Sequence, residues 1–174
     1  VIAGDAEKTS PGDNWSPALN GRVYAAASAG NHGLSVAAGA RLFGAEAVIY
    51  LADTVPEPFA ERLRGLGARV VRAGAHYEAS MDAATTAAND NGWTLLSDSS
   101  WQGYLDLPRR VMEGYGQLAA EAISGMNAPT HILLQAGVGG LAAAVAAHAR
   151  AAWKDAPTII VVEPEAAPAL FESI

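Results

Sequence analysis

Short runs of consecutive apolar residues alternate along the chain with longer stretches in which apolar positions recur every three or four residues. Uninterrupted runs bounded by turn residues predict buried strands, and the longer periodic stretches predict helices. Strands are predicted at Val23–Ala27, residues 47–51, Arg69–Arg72, residues 93–96, His131–Gln135 and Thr158–Val162. The first helix follows in GNHGLSVAAGARLFG, with Leu34, Ala37, Ala38 and Leu42 on one face and Gly44 at the C-cap. The next opens at Thr54-Val-Pro-Glu-Pro, turns Phe59, Leu63 and Leu66 inward and ends at Gly67. Further helices are predicted at 77–89, about 107–126 and Gly140–Trp153. Unbroken apolar strands separated by helices imply a doubly wound α/β fold, a parallel sheet covered on both faces. Residues 1–22 mix proline and glycine without a sustained period and read as irregular. The expected partition is this segment, a smaller α/β domain over 23–104, and part of a larger α/β domain over 105–174.

Composition narrows what such a fold can do. At 174 residues the chain suits one domain or slightly more, and folding should bury roughly 70% of its unfolded surface. Eleven Lys and Arg against eighteen Asp and Glu leave a net charge of −7, which disfavours nucleic-acid phosphates as partners. No apolar run of about 18 residues is present to span a membrane. The 51% hydrophobic content is too high for disorder. The absence of cysteine excludes a disulfide framework, thiolate zinc and a cysteine nucleophile, and it fits a reducing cytoplasm. Val1 is neither a start methionine nor part of a signal peptide, so the chain is expected to be a piece of something longer.

In such sheets ligands gather where strands end and helices begin, and three strand ends carry unusual residues. Ser28-Ala29-Gly30-Asn31-His32-Gly33 follows the first strand. Its glycines allow a tight turn, and the helix behind offers N–H groups to an anion. The string also reads as an ordinary capped helix start, and AASAG is one glycine short of a nucleophile elbow. Gly137-Val138-Gly139-Gly140 opens the alanine-rich helix, where successive amides and the helix dipole suit a phosphate. With Leu141 and Ala142 it also fits the dinucleotide pattern, and Glu163 at the next strand end could then bind a ribose. The third strand end, SDSSWQGY, places Asp98 beside hydroxyls and aromatics, where it can move a proton or form a simple turn with Trp101 as a core anchor. The four histidines lack metal-ligand spacing, no metal site is expected, and Tyr115 reads as core.

Taken together, SAGNHG, the GVGG loop about a hundred residues later and SDSSWQGY between them resemble pyridoxal-phosphate enzymes of the tryptophan-synthase-β type, fold type II. Within that group, NHGLSVAAGARLFGA, VMEGYG, PTHILLQAGVGGLAAAVAAH and VVEPE are most similar to diaminopropionate ammonia-lyases. The resemblance covers roughly residues 24–174. It implies pyridoxal 5′-phosphate as cofactor, a small amino acid such as 2,3-diaminopropionate as substrate, and α,β-elimination to a 2-oxo acid and ammonia. It implies that the backbone at Ser28, Ala29, Gly30 and His32 holds the substrate carboxylate and that Asn31 lies beside the cofactor's ring hydroxyl. Gly137, Val138, Gly139 and Gly140 would cradle the phosphate, Asp98 would serve proton transfer, and the enzyme would be a homodimer.

Two departures stand out. The family's Schiff-base lysine lies in a short motif upstream of the asparagine loop, whereas this chain has only Lys8, in AEKTSPG, and Lys154. Ala29 stands where diaminopropionate ammonia-lyases commonly have aspartate, and an alanine cannot accept a proton. The SAGNHG form is the one typical of threonine or serine dehydratases, and it predicts preference for an L-amino acid. The alternatives are a dehydratase-type lyase, a non-catalytic ligand-binding remnant, and a nicotinamide-dependent dehydrogenase built on Gly137, Gly139 and Glu163.

Overall fold

A computed structural model describes residues 1–9 and 18–173, which form two units, Val1–Ser97 and Asp98–Ile174. The first unit runs α1 (Ile2–Thr9), β1 (Val23–Ala27), α2 (Asn31–Leu42), β2 (Glu46–Leu51), α3 (Glu57–Gly65), β3 (Arg69–Arg72), α4 (Tyr77–Asn91) and β4 (Thr94–Leu95). Its four strands are parallel in the order β3-β2-β1-β4. The chain therefore winds one way from β1 to β3 and then crosses back to lay β4 on the far side of β1. Right-handed crossovers put α2 and α3 on one face and α4 on the other.

Period-two alternation divides the strand residues between those faces. Ala25, Ala27, Val48 and Tyr50 meet Ala84 and Ala88 of α4 in one buried cluster. Tyr24, Ala26, Ile49 and Leu51, equally buried, alternate with them, and Val36, Ala37, Ala40, Ala60 and Leu63 are the buried residues of α2 and α3. The alanines let the helices approach the sheet closely, so the few large side chains carry the burial. The fully buried Leu63 alone is worth about 2 kcal/mol.

The buried stripe of α2 differs from the predicted one. Gly33, Val36, Ala37 and Ala40 face inward, while Ala38 is exposed and Leu42 is 64% exposed. Leu34 and Ala38 flank a cleft shared with α3 instead of the sheet, and Leu42 sits in the last turn. The irregular reading of residues 1–22 is corrected over α1. Ile2 and Ala6, one turn apart, are buried, and a methyl group at Gly39 would lie 3.3 Å from Ile2 Cδ1. Tyr24 Oη donates to Asp5 Oδ2 at 2.8 Å and ties the helix to β1. Residues 10–17 of that segment lie outside the described residues.

The second unit holds α5 (Asp106–Ser124), β5 (His131–Gln135), α6 (Gly140–Trp153), β6 (Thr158–Val162) and α7 (Ala169–Glu172). β5 and β6 pair in parallel from His131↔Thr158 to Gln135↔Val162. α5 packs along α6 at Gly116, where an added methyl group would stand 2.8 Å from His148 Cε1. Leu133 is 68% and Val162 52% exposed in this two-stranded sheet of the described residues. No helix among the described residues is long and apolar enough to cross a membrane.

Candidate active site

The order β3-β2-β1-β4 makes the carboxyl ends of β1 and β4 the point where the winding reverses, which is where open α/β sheets bind ligands. The Ser28 loop leaves β1 there. Ser28 Oγ accepts the N–H of Gly30 at 3.3 Å and of Gly33 at 3.0 Å, and Ser28 N donates to Tyr50 O. The hydroxyl thus fixes the shape of the turn, an arrangement unlike a nucleophile beside a base. Gly33 has to be glycine, because a Cβ would lie 2.7 Å from Ser28 O. With the amides of Gly30 and Gly33 engaged, the α2 N–H groups of Asn31 and His32 are the ones that helix geometry leaves for a ligand. Ala29, Gly30 and Asn31 are exposed at this mouth. Asn31 also opens onto a cleft of about 510 Å³ between α2 and α3, lined in addition by Ser35, Ala38, Arg62 and Leu66.

The imidazole of His32 crosses to the other strand end. Its Nε2 lies 2.9 Å from Leu96 O, while Leu96 N donates to Ala25 O at 2.7 Å. β4 itself matches only Tyr24↔Thr94 and Ala25↔Leu95, so this side-chain bond supplements a very short ladder. Ring chemistry at His32 had no sequence signal beyond the motif, since its acceptor lies 64 positions away.

In the second unit, Asp98 is half-buried at the start of the SDSSWQGY segment. Trp101 does not anchor a core. It is 40% exposed and stacks on Tyr104 at 4.1 Å, across a turn closed by Tyr104 N to Trp101 O and by Gly103 at φ 87°. Tyr115 on α5 is the neighbour that sequence reading missed. Burial raises its phenol above the ordinary range, and the charge of Asp98 raises it further. Seventeen residues separate the two, with no periodic signal to link them.

Gly137 to Gly140 connect β5 to α6. Gly139 adopts φ 82° at the N-cap, and Gly137 has open space where a side chain would stand. Ala143 N donates to Gly139 O, which leaves Gly140, Leu141 and Ala142 as the helix-start donors. No acidic side chain occurs between 136 and 142, so the donor set suits an anion. Glu163 does not offer a free carboxylate to a ribose: its two oxygens accept Leu170 N at 2.8 Å and Phe171 N at 2.9 Å.

Neither lysine is placed for chemistry. Lys8 is exposed in the last turn of α1, which meets Tyr24 early in β1 and Gly39 late in α2, away from the Ser28 loop. Lys154 is exposed past α6, its Nζ donating to Ala151 O at 3.4 Å.

A doubly wound unit with its mouth at the reversal point, and a glycine-rich helix start in a second α/β unit, define the class of fold type II enzymes. The chain belongs to the pyridoxal-phosphate-dependent enzyme family, whose profile matches residues 6–174. It is 38% identical over 157 residues to the diaminopropionate ammonia-lyase of Salmonella typhimurium, covering 87% of this chain and 39% of that protein. The crystal structure of Escherichia coli diaminopropionate ammonia lyase in complex with D-serine superposes with TM-score 0.90 at 30% identity, covering 99% of this chain and 47% of that one. The catabolic L-threonine dehydratase of Staphylococcus aureus is 31% identical over 121 residues, 70% of this chain and 33% of that protein. The chain thus spans about two fifths of the length of the ammonia-lyase it matches. Family membership displaces the nicotinamide reading, and the amides at Gly137–Gly140 fit the phosphate of pyridoxal 5′-phosphate, the family's cofactor.

Proposed function

We propose that the enzyme carrying these residues is a pyridoxal-phosphate-dependent ammonia-lyase acting on a small amino acid of the 2,3-diaminopropionate type. One substrate and one water would give one 2-oxo acid and two ammonia molecules. The observation that carries the reading is the preorganised Ser28 loop at the sheet's reversal point, in a chain 38% identical to an ammonia-lyase. When bound, the cofactor supplies an electron sink for the substrate's Cα. The chain's own residues bind and orient. The N–H groups of Asn31 and His32, in the turn of Ser28, Ala29 and Gly30, hold the substrate carboxylate. The Asn31 side chain would bind the cofactor's ring hydroxyl, and Gly137, Val138, Gly139 and Gly140 would hold its phosphate. Asp98 holds or moves a proton at the substrate's amino end, with Tyr115 as its neighbour. The absence of cysteine supports a cytoplasmic setting and family resemblance supports a homodimer, which sedimentation of the purified enzyme checks.

A dehydratase-type elimination from L-serine or L-threonine is the second reading. Ala29 favours it, because that position offers no carboxylate base. Either way an L-substrate is expected, and equal turnover of D- and L-diaminopropionate would refute the stereochemical preference. Comparing kcat/KM for diaminopropionate, L-serine and L-threonine separates the two activities. The cofactor is tested by the visible spectrum of the purified enzyme before and after borohydride, with mass mapping of any modified lysine. A yellow protein fixed on one lysine supports the lyase. A protein that stays colourless with added pyridoxal phosphate supports a ligand-binding remnant.

A further inference from the structure

The VVEPE motif has no part in the site described so far, yet Glu163 is one of the most fully engaged acids in the second unit. It directly follows β6, whose last residue, Val162, is in register with Gln135 and accepts Ala136 N at 3.2 Å. Glu163 therefore stands beside the strand end from which Gly137 departs. Its carboxylate takes two consecutive amides of α7, Leu170 N and Phe171 N. The Phe171 side chain is 75% exposed, so this bond is a backbone tether only. Leu170 turns the other way: a methyl group added at Gly139 would lie 3.3 Å from Leu170 Cδ1. Gly139 is the left-handed residue that aims the start of α6. A closed circuit results, from β5 through the glycine loop, Leu170 and Glu163 back to β6.

We infer that Glu163 is a positioning residue for the phosphate cradle, acting through the α7 amides to hold Leu170 against Gly139. Two charge-assisted hydrogen bonds fix the short helix, which has too few residues to persist alone. The helix in turn buttresses a loop whose conformation a non-glycine residue would resist. The inference rests on the cradle reading of Gly137–Gly140.

The test compares pyridoxal 5′-phosphate with pyridoxal, which lacks only the phosphate, binding to the complete enzyme stripped of cofactor. Glu163→Ala is expected to raise the Kd for pyridoxal phosphate on the order of tenfold, the loss of one charge-assisted hydrogen bond, and to leave the Kd for pyridoxal unchanged. Glu163→Gln keeps one acceptor oxygen and is expected to fall between. Leu170→Ala removes the buttress with the tether intact and is expected to shift the same ratio, which keeps the test available if Glu163→Ala does not fold. Unchanged phosphate discrimination in Glu163→Ala and Leu170→Ala, or an equal loss for both ligands, overturns the inference. If the unsubstituted enzyme binds the two ligands equally, the cradle itself is refuted and the positioning role with it.

Discussion

A methyl group at Gly33 would stand 2.7 Å from a carbonyl oxygen of the same turn, with no flexible side chain to give way. Gly33→Ala is expected to cost about 1–3 kcal/mol and to abolish carboxylate binding, measured by denaturant titration and substrate KM. A stability change below about 0.5 kcal/mol, that of a neutral surface site, would refute the clash. At Tyr24, burial first and then the bond to Asp5 push the phenol from its ordinary 10.0 up to about 12. The folded state therefore keeps a proton that the unfolded chain releases. That stabilisation is complete below pH 10.0 and is lost as the pH rises to about 12. Tyr24→Phe is expected to cost about 1–2 kcal/mol at neutral pH and to flatten that alkaline decline in the unfolding profile. Glycine spacing made Gly33 and Gly139 legible in the sequence, because turn chemistry is local. The partners of His32, Tyr115 and Glu163 were not, since each contact depends on residues 7 to 64 positions away that only the folded backbone brings close.

Strands were read best where turn residues bound a short apolar run, whether or not the described residues bury it. β1, β3, β5, α6 and β6 have the boundaries that the sequence predicts, because glycine, proline or charged residues flank each of them closely. α1 and α7 were missed. With eight and four residues they are too short to be stable by propensity, and tertiary contacts at Ile2, Asp5 and Leu170 hold them. The rotation of α2 was also misjudged, since an alanine-rich helix has several faces of similar hydrophobicity. Two truncations read out the real packing. Leu63→Ala, in a fully buried position, is expected to cost about 2–5 kcal/mol. Leu42→Ala, predicted inward but exposed, is expected to stay within about 0.5 kcal/mol. Equal costs in urea unfolding would contradict the observed face.

At the scale of the molecule, the two units differ in how well they enclose their sheets. Leu133, Ile160 and Val162 form an open apolar strip on one face of β5 and β6. Such a strip is an adhesive surface, and the 174-residue chain in isolation is expected to bind a hydrophobic fluorophore there. Leu133→Thr with Val162→Thr should reduce that fluorescence, and an unchanged signal would place the dye elsewhere. The sequence showed the α/β class and the strand ends but not this exposure, which depends on how many strands share a sheet. The reversed winding of the first unit sets a timetable as well. The mouth opens on the first strand but is completed only by β4 and by the bond from His32 to Leu96, 64 residues downstream. At a synthesis rate of about 5–20 residues per second, the nascent loop waits several seconds for its other wall. Half of the mouth is thus written early and read late: the ring of His32 meets its acceptor only when the last strand of the described sheet arrives.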